Sequence, residues 1–363
     1  MKKILCFALV AALMIAMLAA CGGGSSDVGD DDTLYIGLSI RGLENPYYVQ
    51  ILEGAEMFAE AMLPAGSYEI RVMESQGSDD KQINDIKAFL AAVGTNAILY
   101  VDPNNAPNAA VIAEMCEEAG VYWNTTWSYA DGVFPWDYEY YVMHQTADNE
   151  MGGYAAAAAM FDRFETPGTG KIVAILGMLT NDASIDREKG LMKALDEYPN
   201  VELLDIQPGN WSPQEALTLI QTWLAQYGDE IDGVWVANDS MALAVAEALR
   251  AEGLNGVVLV TGYDCIDDVI PAIEQGDVYA TYASNPYLQA GFGLAYTYAA
   301  YSGAINPSEL PREQRMFHTI GLVVSGANID EYKYEYIENK PVFDYTDLES
   351  CISQPFDFDN LKY

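Results

Sequence analysis

From Thr33 onward, short apolar runs alternate with longer amphipathic ones. The first group predicts strands over "LYIGLSI", "YEIRVME", "NAILYV" and "VYWN". Helices fall between them: one after Pro46, one over "DKQINDIKAFLAAV" and one over "NAAVIAEMCEEAG", where apolar residues recur at helical spacing. The middle group predicts strands over "YYVMHQ", "KIVAILG", "VELLDIQ", "GVWVAN", "VVLVTGYD" and "VYATYA". Its helices run from Asp148 to Phe164, over "DREKGLMKALDEY", after Ser212, over "SMALAVAEALRAEG" and briefly near Val269. A helix over "AGFGLAYTYAAYSGA" and a strand over "FHTIGLVV" follow. The strands are continuous apolar runs, the pattern of strands buried on both faces of a parallel sheet. Regular strand-helix alternation with short joins means right-handed βαβ units.

Open parallel sheets bind ligands past the carboxyl ends of their strands. Those ends are Arg41 to Tyr48, Asp102 to Asn105, Trp123 to Trp127, Gly177 to Arg187, Gln207 to Trp211, Asn238 and Asp239, Tyr263 to Cys265, and Ser284 and Asn285. They are rich in Asn, Asp, Arg, Trp and Tyr. Flat rings cover the C–H faces of a polyhydroxylated ligand, while amides, carboxylates and guanidinium groups take its hydroxyls. At the first of these ends, Asn45 is placed to cap a helix and Pro46 suits its first turn.

At 363 residues the chain exceeds what one core usually fills, so two domains are expected. The N-terminus stands apart. "MKK" followed by "ILCFALVAALMIAMLAA" reads as an export signal over residues 1–20 rather than part of the fold. It ends in "LAAC", which resembles a bacterial lipobox and implies lipidation at Cys21. A retained transmembrane anchor is the alternative, but the run is short and a Gly/Ser/Asp tether, 21–32, follows at once. The net charge of −37 excludes a nucleic-acid surface, which needs Lys and Arg. With the signal gone and Cys21 lipidated, Cys116, Cys265 and Cys351 remain; three cannot all pair, and whether any two do is left open. Two separated histidines give no metal-site spacing, and neither a metal nor a cofactor is expected.

The order and spacing of "NPYYV", "ADNEMGG", "DREKG", "QPGNW", "WVANDSMALAVAEAL", "VTGYDC" and "NIDEY" resemble the type I periplasmic solute-binding proteins of the ribose/galactose class, which serve ABC importers. The resemblance runs from Thr33 to Asp330. It implies an α/β fold of two doubly wound parallel-sheet lobes joined by a three-segment hinge, with the solute between the lobes. Lobe 1 would comprise 33–144 plus 285–317, and lobe 2 would comprise 145–284 plus 318–329. Residues 330–363 form a C-terminal extension to which the resemblance gives no role. By the same resemblance, Asn45 belongs to the site, Tyr47 and Tyr48 match an aromatic pair that sandwiches the sugar, and Trp211 matches an aromatic closing the cleft. Arg187, Asn238 and Asp264 match residues that reach sugar hydroxyls from the second lobe. Two places depart from ribose-type members. Asn124-Thr125-Thr126 replaces an Asp-Arg pair, which makes Asn124, with Trp123 beside it, the expected ligand there. Ser284-Asn285 replaces a glutamine. A longer first loop also brings in Arg41. Pentoses, hexoses, polyols and related small polar solutes all stay open.

Rival readings are weaker. A repressor of this fold would need a DNA-binding helix-turn-helix before the first strand, where an export signal stands. An enzyme lacks support: "GFGLA" misses the third glycine of a dinucleotide fingerprint, and no nucleophile-base set falls on strand ends. A sensor feeding a membrane kinase or chemoreceptor would share every feature noted. The expected protein is therefore a non-enzymatic, extracytoplasmic, lipid-anchored monomer. It would capture a small sugar or polyol and deliver it to a permease, with no nucleic acid as partner.

Overall fold

The computed structural model describes residues 33–130, 132–319, 321–338 and 343–355. The expected export signal, the expected tether and Cys21 lie outside the described residues.

Among the described residues, thirteen strands form two sheets. The first sheet takes β1 (Leu34–Ile40), β2 (Tyr68–Glu74), β3 (Ala97–Val101), β4 (Tyr122–Thr126), β5 (Tyr141–Ala147), β11 (Met316–Thr319) and β13 (Ile352–Pro355), in the order β13-β11-β5-β4-β3-β1-β2. The second takes β6 (Thr169–Leu176), β7 (Asn200–Pro208), β8 (Gly233–Val236), β9 (Leu259–Asp264), β10 (Ala280–Ala283) and β12 (Leu322–Ser325), in the order β12-β10-β9-β8-β6-β7. All neighbours run parallel except the edge strands β12 and β13. The continuous apolar runs are buried as expected; β3 is buried at every position.

Short polar residues start the helices. Asn45 caps α1 (Pro46–Met62), Ser78 caps α2 (Asp79–Val93) and Asn105 caps α3 (Ala106–Ala119). Asp148 caps α4 (Asn149–Arg163), Asn181 caps α5 (Asp182–Glu197), Ser212 caps α6 (Pro213–Tyr227) and Asn238 caps α7 (Asp239–Ala251). In each, a side-chain oxygen accepts an otherwise orphaned backbone N–H. After the short α8 (Val269–Gln275), α9 (Pro286–Tyr301) packs on β3, β4 and β5 of the first sheet. Helices α4 and α5 approach closely because glycines face backbone: a Cβ on Gly153 would lie 2.2 Å from the Arg187 carbonyl oxygen, and one on Gly190 would lie 2.1 Å from that of Glu150. This contact seats the turn of α5 that carries Arg187.

Two features differ from expectation. The "FHTIGLVV" segment is two strands, β11 and β12, in different sheets. The chain also changes sheet four times: after β5, after β10, between β11 and β12, and again between β12 and β13. The fourth change belongs to the C-terminal extension. There β13 pairs antiparallel with β11, while Phe343 and Tyr345 pack edge-to-face against Phe292 of α9. Cys116 and Cys265 are buried free thiols. Among the described residues no helix is long and apolar enough to cross a membrane.

Candidate functional site

The carboxyl ends of the strands of both sheets face one cleft. The first sheet contributes Arg41 after β1, Asn45, Tyr47 and Tyr48 at the start of α1, Asp102 after β3, and Trp127 after β4. The second contributes Asn181, Ala183 and Arg187 beyond β6, Trp211 beyond β7, Asn238 beyond β8, and Asp264 at the end of β9. Together they bound about 430 Å³ free of atoms, the open mouth included. The two sides touch. Arg41 Nη1 donates to Met178 Sδ at 3.1 Å, and Gln50 Nε2 donates to Asp267 Oδ1 at 3.0 Å.

Arg187 is only 3 % exposed. Its Nε donates to Asn149 Oδ1 at 3.0 Å and its Nη1 to the Ala237 carbonyl at 2.6 Å, while Nη2 lies 3.6 Å from Asp264 Oδ1. The guanidinium carbon stands 3.4 Å from the ring centre of Tyr263, 5.0 Å from Trp127 and 5.5 Å from Trp211. A planar cation enclosed by three π-faces is held by both charge and dispersion.

On the first sheet, the Tyr48 hydroxyl donates to Asp102 Oδ2 at 2.5 Å. Trp127 Nε1 donates to the Tyr47 hydroxyl at 2.5 Å, which donates in turn to Gln289 Oε1 at 3.0 Å. Gln289 Nε2 reaches the Ser284 carbonyl at 2.9 Å, where the chain leaves the second sheet. A hydrogen-bonded line thus runs from a cleft tryptophan to an inter-sheet crossing. Asn45, Asn181 and Asn238 serve twice: as caps they spend the amide oxygen, and the NH₂ remains as a donor at the cleft.

Burial pushes the Asp264 carboxyl up to about 7, against the pull of Arg187. Burial likewise pushes Asp102 up to about 6, against Arg41 and the Tyr48 hydrogen bond. The Tyr47 and Tyr48 phenols are raised well above their ordinary value, chiefly by burial, and stay protonated donors.

Eight of the residues picked from the sequence meet at this cleft: Arg41, Asn45, Tyr47, Tyr48, Arg187, Trp211, Asn238 and Asp264. Three do not. Trp123 is fully buried in a satellite core and stacks on Tyr141 at 4.1 Å, because it lies within β4 rather than past its end. Asn124 points at α9, where its Nδ2 donates to Thr297 Oγ1 at 2.7 Å and the Gly293 carbonyl at 3.1 Å. Ser284 is fully buried in the crossing after β10, its N–H donating to the Asp264 carbonyl at 3.3 Å. The residues missed are Asp102, Trp127, Asn181 and Ala183, all inside the strand-end segments identified from the pattern. Backbone conformation marks three lining residues that no composition shows. Trp127, Trp211 and Asp264 have φ of 60°, 62° and 113°, which side chains other than glycine adopt only where the surroundings force it.

Among the described residues no group of three or more His, Cys, Asp or Glu is placed to hold a metal. A periplasmic binding protein domain matches residues 36–304. A xylitol-binding protein of Mycolicibacterium smegmatis is 27 % identical over 292 residues, covering 79 % of this chain and 77 % of its own. The crystal structure of a twin-arginine translocation pathway signal protein from Burkholderia phytofirmans is similar, with a TM-score of 0.84, 34 % identity, and 89 % of this chain and 98 % of that one covered. A Caulobacter myo-inositol binding protein, solved with myo-inositol, has a TM-score of 0.71 at 25 % identity, covering 85 % of this chain and 98 % of its own. The chain belongs to the periplasmic binding protein domain family, whose members are extracytoplasmic solute-binding proteins rather than enzymes.

Proposed function

We propose that this protein captures a neutral polyhydroxylated solute, a monosaccharide or polyol, between two lobes and delivers it to the permease of an ABC importer. The observation that carries this reading is the balance of the cleft. Two arginines, Arg41 and Arg187, face two carboxylates, Asp102 and Asp264, with Tyr47, Tyr48, Trp127 and Trp211 around them. A charged solute would upset that balance in a water-poor space. A neutral one with many hydroxyls meets a donor or acceptor on every side and an aromatic face for its C–H groups. The relatives that bind xylitol and myo-inositol point the same way.

The lobes are read as 33–144 plus 285–317 and 145–284 plus 318–329, with strands β5 and β11 of the first sheet running past those bounds to Ala147 and Thr319, and they close by rotation at the crossings. Cys21 is read as the lipidated N-terminus of the mature protein, which works as a monomer on a Gly/Ser/Asp tether. Calorimetry with xylitol, myo-inositol, D-ribose and D-allose tests the ligand class. Saturable binding of at least one supports it; binding of none of these, together with binding of amino acids or organic acids, overturns it.

A further inference from the structure

We propose that Tyr332, in the C-terminal extension, is a positioning residue for solute capture: its hydroxyl holds the turn that presents Asp264 to the cleft, together with the crossing from β10 to α9 beside it. This rests on the polyol reading above and deepens it. The extension gains a share in affinity, although Tyr332 does not itself line the cleft.

The turn needs holding. Asp264 and Cys265 are consecutive residues with φ of 113° and 61°, and Asn285 has φ of 50°. Such backbone persists in residues other than glycine where several contacts over-determine it. The strand ends supply part of that support. Ala283 pairs with Asp264, and the Ser284 N–H donates to the Asp264 carbonyl at 3.3 Å, so β9 and β10 end side by side. Just beyond, the Ile266 N–H donates to Asp239 Oδ2 at 3.1 Å. Cys265 stands between these two ties, and Asn285 follows Ser284. Both meet one side chain. The Tyr332 hydroxyl donates to Asn285 Oδ1 at 3.3 Å and also hydrogen-bonds the Cys265 thiol, which burial raises well above its ordinary value and keeps protonated.

Asn285 gives up a cap to make this contact. Among the described helices of 13 residues or more, α9 alone opens without a side-chain cap, although asparagine is well suited to one. Its oxygen is turned to Tyr332 instead. Tyr332 is itself held before its hydroxyl reaches across. It lies in a short helix, Ile329–Lys333, whose preceding residue is tied to β12: Asn328 Oδ1 accepts the Ser325 N–H at 2.8 Å and its Nδ2 donates to the Val323 carbonyl at 2.9 Å. Lys333 pairs with Glu274 of α8 at 2.6 Å, and the Tyr336 ring stacks on that of Tyr332 at 4.9 Å. The Tyr332 ring is buried. Without the hydroxyl, Cys265 loses a partner and Asn285 is free to turn back onto α9. Either change loosens the backbone that sets Asp264, whose Oδ1 lies 3.6 Å from Arg187 Nη2. A site residue set loose in this way binds less well even though no contact to solute has been removed.

The test compares the intact protein with two variants. Tyr332→Phe removes one oxygen and keeps the ring. Tyr336→Leu loosens the same extension at a residue that makes no hydrogen bond to either strand end among the described residues. Calorimetry uses whichever of xylitol, myo-inositol, D-ribose and D-allose binds the wild type. Affinity of Tyr332→Phe should fall about three- to tenfold. Tyr336→Leu should lower the ligand-free melting temperature and bind as the wild type does. In ligand-free crystal structures the Asp264 carboxyl should be displaced from Arg187 in Tyr332→Phe and stand as in wild type in Tyr336→Leu. Unchanged affinity in Tyr332→Phe, equal losses of affinity in the two variants, or an Asp264 carboxyl that stays in place overturns the Tyr332 assignment while the polyol reading stands. If wild type binds none of the four solutes, the polyol reading fails, and the ligand-free structures decide the positioning role alone: a displaced Asp264 in Tyr332→Phe supports it and an unmoved one overturns it.

Discussion

The Arg187 guanidinium lies 3.6 Å from Asp264 Oδ1, and both side chains are almost wholly buried in the cleft they line. The pair therefore belongs to the scaffold and the site at once. Arg187 reaches it from a helix seated by Gly153 and Gly190, and Asp264 from a strand end with positive φ.

Removing the arginine should therefore cost both fold and affinity. Arg187→Ala strips donors from Asn149 and the Ala237 carbonyl and leaves Asp264 unpaired. Breaking a buried pair this way costs about 3–5 kcal/mol, so the ligand-free melting temperature should fall by roughly 5–15 °C. Solute affinity should fall by at least tenfold. Arg187→Ala melting like wild type would show the pair to be solvated and purely a ligand device.

Affinity and ligand-free stability should respond to pH in opposite senses. The folded Asp102 titrates near 6 against an ordinary value of 3.8, so across that window the folded ligand-free state holds a proton the unfolded chain has lost. Stability from this group falls as pH rises through the window. Asp102→Asn should thus melt close to wild type at pH 5 and a few degrees above it at pH 8. Hydroxyls that donate to ionised Asp102 and Asp264 bind better as both lose their protons, so wild-type affinity should rise from pH 5 to 8. Isothermal calorimetry at several pH values checks this, and an affinity that improves on acidification contradicts the carboxylate roles.

Solute binding should be visible in tryptophan fluorescence, but from a particular pair. Of six tryptophans, Trp127 and Trp211 flank Arg187 from opposite sheets. Trp127→Phe combined with Trp211→Phe should abolish most of the solute-induced change. A change of full size in the double variant would place the moving contact elsewhere.

Cys21 should carry lipid on the mature protein. Cells fed a labelled fatty acid should label the wild type and not Cys21→Ala, and equal label on both would remove the anchor. More than one acyl chain is expected, because a single chain holds a membrane weakly.

Most of the fold could be read from the chain because continuous apolar runs and capped helix starts are local signals. What escaped depended on distance or on a single residue of reach. Trp123 and Trp127 are both aromatic and close in sequence, but only the second lies past the end of β4. Asn124 looked like a solute ligand until Thr297, far along the chain, claimed its amide. Asp102 stands in a strand-end segment, but none of the motifs that carry the resemblance covers it. Strand β13 is short and exists only because β11 offers it an edge.

That edge has a consequence for the order of assembly. The first sheet is begun by the earliest described residues and completed by the last, since β5 must wait for β11, and β11 for β13. Pairings so distant along the chain form slowly, because the entropy of closing the long loop is spent before any contact repays it. A nascent chain still lacking its final segment holds an unfinished sheet. Among the described residues, the strand that completes the first sheet is translated after every other strand of that sheet.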